Sequence, residues 1–177
     1  MELAKLVLQA KQGDRDAFIR LVKHVENPLH NTAKSILKKD EDVADALQET
    51  ILLAYKSLHH LREPSFFKTW VFRILINECK KILSNRSRNV SMEDIPVALS
   101  FSQEYEDIDL KEAVDRLEEQ QRIVVVLYYF EDMPVRQVAE TLEISESAVK
   151  MRLSRARNTL LDKLQTFGEG KMHYGSI

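Results

Sequence analysis

Apolar residues recur along this chain every three or four positions, the spacing of a helix with one buried face. The pattern predicts a first helix over residues 2–12, stopped by Gly13. From about Asp14 the positions Phe18, Leu21, Val22, Val25, Leu29, Ala33, Ile36 and Leu37 form one stripe, and Pro28 inside it should bend or break the helix. A third helix is predicted over 41–59, with Val43, Leu47, Ile51, Ala54 and Leu58 facing inward. After the connector LREPS, a fourth over 66–85 turns Phe67, Trp70, Val71, Ile74, Leu75 and Ile82 to the core. Periodicity fades through residues 86–108, where Pro96 stands among serines and acids. It resumes in helices near 110–118, 120–130, 135–142 and from Glu146 to about 166. The expected fold is all-α: two small helical domains over 1–88 and 109–167, a flexible linker over 89–108 and a frayed tail over 168–177.

Composition supports helices. All four glycines lie near the chain ends, at 13, 168, 170 and 175, whereas strand-rich folds need glycine in turns and bulges. At 44% hydrophobic and 31% charged residues the chain can build a core and stay in solution. A single cysteine, Cys79, rules out an internal disulfide and fits a reducing compartment. The opening residues lack the apolar run of a signal peptide, and no stretch is long and apolar enough to cross a bilayer, so a cytosolic protein is expected.

The formal net charge of −2 conceals segregation. Residues 62–88 carry seven bases (Arg62, Lys68, Arg73, Lys80, Lys81, Arg86 and Arg88) against Glu63 and Glu78. Residues 91–119 carry ten acids against Lys111 and Arg116. Basic faces beside an acidic middle are the electrostatic footprint of nucleic-acid binding. The acids of 104–119 are expected to shield a basic face in the free protein.

Residues 133–157, MPVRQVAETLEISESAVKMRLSRAR, have the layout of a helix-turn-helix. Val135, Val138, Ala139 and Leu142 give the first helix an apolar side, and small Ala139 admits a second helix closely. Ile144 plugs the turn, and Ser145 can cap the helix that follows. With Val149, Leu153, Ala156, Leu160 and Leu164 inward, Ser147, Met151, Ser154, Arg155 and Asn158 face outward. Lys150 and Arg157 flank one side and Arg152 the other. The middle of such a face can read base edges and its flanks can reach phosphates, with Arg155 the best placed for guanine. The basic run by itself would also suit a solvated amphipathic helix; the turn and cap favour DNA.

The segment LREPSFFKTWVFRILINECKKIL is less decisive. Phe66, Phe67, Trp70 and Phe72 among cations suit stacking on unpaired bases, yet Phe67 and Trp70 are better read as core. Cations near a helix C-terminus also satisfy the macrodipole without any ligand. Enzymatic chemistry is not expected: His24, His30, His59, His60 and His173 have no metal-ligand spacing with Cys79 or the acids, and there is no glycine-rich phosphate loop. No cofactor and no small-molecule substrate are expected.

In order and spacing, three stretches resemble the bacterial sigma factors of the extracytoplasmic-function (ECF) group. They are DVADALQETILLAYKSL, FFKTWVFRILINECKKIL with Trp70, Arg73 and Asn77, and the residues from AVDRL to RARNTL. The chain departs from the common Leu-Pro at Leu117-Glu118. The resemblance implies docking on core RNA polymerase through Asp45, Gln48 and Glu49. It implies capture of an unpaired minus-ten base by the loop over 62–66, including Arg62, Glu63, Ser65 and Phe66, with Lys68, Arg73, Asn77, Lys80 and Lys81 gripping nearby DNA. It implies reading of the minus-thirty-five groove by the last helix, and an anti-sigma partner, often membrane-bound. The alternatives are a stand-alone helix-turn-helix regulator and a helical adaptor that binds only proteins.

Overall fold

The computed structural model describes residues 2–89 and 110–172, and these are helical almost throughout. Eight α-helices follow in order: α1 (Glu2–Lys11), α2 (Arg15–Ile36), α3 (Asp40–Ser57), α4 (Phe67–Asn89), α5 (Leu110–Asp115), α6 (Glu119–Val125), α7 (Val135–Leu142) and α8 (Glu146–Met172). Two 3-10 turns, Leu58–His60 and Pro64–Phe66, join α3 to α4, and a π-helical turn, Val126–Phe130, ends α6. The predicted linker beyond Asn89, the acids at 104–109 and His173 lie outside the described residues.

Local chemistry sets the boundaries. Gly13 takes φ +94 between α1 and α2, a backbone that glycine adopts freely. Asp14 then caps α2, its carboxylate accepting from the Ala17 amide at 3.0 Å. Contrary to the sequence expectation, α2 runs through Pro28 unbroken. The reason is tertiary: Leu21, Val25, Leu29 and Ala33 on either side are buried, and exposed His24, whose carbonyl loses its usual donor, can turn to water. Two further bounds move: α4 continues to Asn89, beyond the predicted 85, and α8 continues to Met172.

In the first half, α1 packs on α2, and α2, α3 and α4 pack on one another. In the second, α8 packs against α5, α6 and α7. The halves also touch: α7 lies on α4, α6 lies on α2, and one buried apolar cluster runs from Val7 to Ala156 through both. Helix α4 is therefore covered from two sides. This overturns the single-stripe reading of its wheel. Phe72, Ile76 and Cys79 are fully buried along with Phe67, Val71 and Leu75, while Trp70, Ile74 and Ile82 are only partly covered.

Candidate nucleic-acid interface

The helix-turn-helix is built by backbone geometry at two residues. Glu143 ends α7 in the left-handed conformation, φ 58 and ψ 41, and its amide donates to the Ala139 carbonyl. The Ile144 amide donates to that carbonyl as well, at 3.1 Å. Ser145 then caps α8, its hydroxyl accepting from the Ala148 amide at 3.1 Å. Behind the turn Val149, Leu153 and Ala156 are buried, so the rotation of α8 is fixed. Ser147, Lys150, Met151, Ser154, Arg155, Arg157 and Asn158 are exposed, and Arg152 is half-buried. None of the four cations forms an ion pair with a described acid. Leu160 is partly buried, and the side chain of Leu164 lies outside the described residues.

The connector between α3 and α4 is held from beneath. The Lys11 ammonium donates to the Leu61 carbonyl at 2.7 Å, and Leu61 itself is buried. Glu63 accepts from the Ser65 hydroxyl at 3.1 Å and from its amide at 3.4 Å, which shapes the short turn. Arg62, Glu63, Ser65 and Phe66 are left exposed at its rim. The structure therefore sorts the aromatics. Phe66 is exposed, Phe67 and Phe72 are core, and Trp70 is half-buried with its ring 6.0 Å from that of Phe67. Phe72 was a stacking candidate by sequence; it lies wholly inside and has no face for a base.

The cations of α4 fall into two groups. Lys68 donates to the Glu131 carbonyl and lies 3.6 Å from its carboxylate, and Arg73 donates through two nitrogens to the Glu143 carboxylate. Both acids belong to the second half of the chain. Lys81 instead pairs within its own helix with Glu78 at 2.6 Å, and Arg86 pairs with Asp42 of α3 at 2.7 Å. Lys80 is exposed and Asn77 half-buried. Asp45, Gln48 and Glu49 are exposed within about one turn on α3. With Glu78, Lys81, Ile82 and Asn85 of α4 they line a shallow groove of about 350 Å³.

Burial and charge leave their mark on three groups. Burial pushes the Cys79 thiol up to about 12, so it stays protonated and unreactive inside the core. Burial raises the Glu131 carboxyl, against the pull of Lys68. The Arg73 guanidinium holds Glu143 below the usual carboxylate range, and Lys80 adds to the effect. Among the described residues no cluster of His, Cys, Asp and Glu could hold a metal ion, and no helix is long and apolar enough to cross a membrane.

Sequence reasoning missed Arg122. It is buried, and it donates to three backbone carbonyls: Asp115 at 2.9 Å, Leu117 at 2.8 Å, and Ser35 at the end of α2. A cation there satisfies orphan carbonyls at the ends of α2 and α5 and ties the halves together. Periodicity alone gave no signal for it; the position reads simply as an outward Arg.

A fixed, exposed cationic helix in one half and a basic helix under an aromatic rim in the other define a two-part helical DNA-binding protein. Comparison with known proteins makes the class specific. Residues 21–89 match the family Sigma-70 region 2, and residues 107–160 match Sigma-70, region 4. The sigma factor SigV of Bacillus subtilis is 29% identical over 152 residues, covering 84% of this chain and 92% of that protein. The ECF sigma factor SigM of Mycobacterium tuberculosis is 31% identical over 160 residues, covering 89% and 82%. Among solved structures, CnrH in complex with the cytosolic domain of CnrY superimposes with a TM-score of 0.69 at 25% identity, covering 94% of this chain and 99% of that one. The sigma factor RpoE of Bartonella quintana, in complex with the anti-sigma factor NepR, gives 0.68 at 28% identity, covering 84% and 96%. The chain belongs to the ECF group of RNA polymerase sigma factors and directs transcription initiation; it is not an enzyme.

Proposed function

We propose that promoter reading is divided between the two halves, over residues 1–88 and 109–167. The exposed face of α8 reads the minus-thirty-five groove: Arg155 takes a base edge, Ser147, Met151, Ser154 and Asn158 line the same face, and Lys150, Arg152 and Arg157 hold phosphates. The rim over 62–66 captures an unpaired minus-ten base, with Phe66 as the stacking surface and Lys68, Arg73, Asn77, Lys80 and Lys81 along the strand. Extruding a base costs a few kcal/mol. Binding to core polymerase through Asp45, Gln48 and Glu49 supplies what offsets it. The observation that carries this reading is the fixed rotation of α8, three buried residues on one side and an exposed cationic face on the other.

The partners are core polymerase, promoter DNA and an anti-sigma factor. The last is supported by RpoE, whose structure is a complex with the anti-sigma factor NepR. The test begins with transcript start mapping after induced expression, which yields shared upstream sequences. Run-off transcription with core polymerase should then initiate at those promoters only when this chain is present. Tight duplex binding without initiation at any of them would replace the reading by that of a stand-alone regulator.

A further inference from the structure

The grip that α4 would offer to DNA is already occupied from within the chain. Lys68 is held by Glu131, at the end of the π-helical turn, and Arg73 is held by Glu143, in the turn of the helix-turn-helix. Lys80 acts on Glu143 through space. These acids are not those the sequence suggested. Residues 104–109 lie outside the described residues, and Glu112 pairs with Arg116 inside its own segment. Two local choices are unusual. Glu131 is a buried carboxylate, and Glu143 occupies a left-handed position that glycine fills without strain. In each case the side chain sits on a cation of the other half. The reading face of α8, in contrast, stays exposed.

We infer that Glu131 and Glu143 stand in for backbone phosphates and lock the free chain in a closed form. In that form Lys68 and Arg73 cannot hold the minus-ten strand, while the minus-thirty-five face remains available. The inference rests on the reading of Lys68 and Arg73 as strand-gripping residues given above. Carboxylates and phosphates compete for the same donors, so engagement of the strand and opening of the lock are one exchange. Arg73 and Glu143 are each half exposed, which keeps the lock weak enough for polymerase to open.

The test uses the full chain and a Glu131→Gln/Glu143→Gly variant; glycine suits the backbone at 143. A Glu26→Gln/Glu41→Gln control changes the net charge equally, at exposed acids away from the lock. Binding is measured to a short fluorescein-labelled single-stranded DNA of mixed sequence, and the radius of gyration by small-angle X-ray scattering. The lock variant should bind the strand roughly tenfold tighter than the control and be more expanded. Equal binding and equal size would overturn the lock. Its failure would leave the DNA reading intact if Lys68→Ala/Arg73→Ala still weakens strand binding. Expansion without tighter binding would instead overturn the DNA role of Lys68 and Arg73, and the inference with it.

Discussion

On the function proposed above, single side chains on α8 divide into readers and holders. Arg155 is exposed in the middle of the face, where a bidentate contact to guanine contributes roughly 1–3 kcal/mol of discrimination. Arg155→Ala is expected to weaken binding to the mapped minus-thirty-five duplex by about that amount and to relax preference at one base pair. Competition binding against single-base variants of the duplex measures both. Lys150 lies on the flank, so Lys150→Ala should weaken all duplexes alike and lower the slope of log affinity against log salt by about one. Inside the first half a cation of the same type carries no such role: Arg86 is spent on Asp42 of α3. Its positive charge was legible in the sequence, but which acid lay beside it was not.

At the scale of elements, caps and turns position the reading helix. Ser145 is the only described side chain capping α8, so Ser145→Ala should cost about 1 kcal/mol in chemical denaturation. The same change should loosen α8 and reduce duplex affinity, which Ser145→Asp, a good cap, should restore. The helix-turn-helix was readable because its signals are local: Val135–Leu142 appears as predicted, and α8 begins at Glu146. Pro28 shows the limit of local rules. Burial on both sides of it outweighs the propensity that should have ended α2. The π-helical turn at Val126–Phe130 had no sequence signature, since the period of the apolar positions barely changes across it.

At the scale of the molecule, contacts between the halves decide both stability and pH response. Arg122 is buried on three carbonyls from both halves, and Arg122→Met leaves them without a donor. A loss of roughly 2–4 kcal/mol is expected in urea unfolding, with the closed form weakened before the second half itself. The two carboxylates of the lock respond to pH in opposite senses. Glu131 is raised in the folded chain, chiefly by burial, with Lys68 pulling it down and Asp132 pushing it up. It therefore binds its proton more tightly folded than unfolded. Its contribution is most favourable below the ordinary carboxylate range and is lost as pH rises through its raised value. Glu143 is lowered, so its pairing with Arg73 is present at neutral pH and lost as pH falls through that lowered value. Thermal melts of wild type and Glu131→Gln across a pH series should diverge as pH rises above the ordinary carboxylate range, the variant becoming relatively more stable.

What the sequence determined by itself was whatever depends on neighbours along the chain. Helical periodicity, the Ser145 cap, the glycine at 13 and the rotation of α8 are all set within a few turns, so the residues that form them also reveal them. The tertiary structure alone decided how the halves meet. Helix α4 is buried from two sides because α3 and α7 both pack on it, which drew Phe72 inside and set Lys68 and Arg73 against Glu131 and Glu143. Those partners lie 63 and 70 residues apart, and no local period couples charges at that distance. Only the packing of apolar faces brings them together.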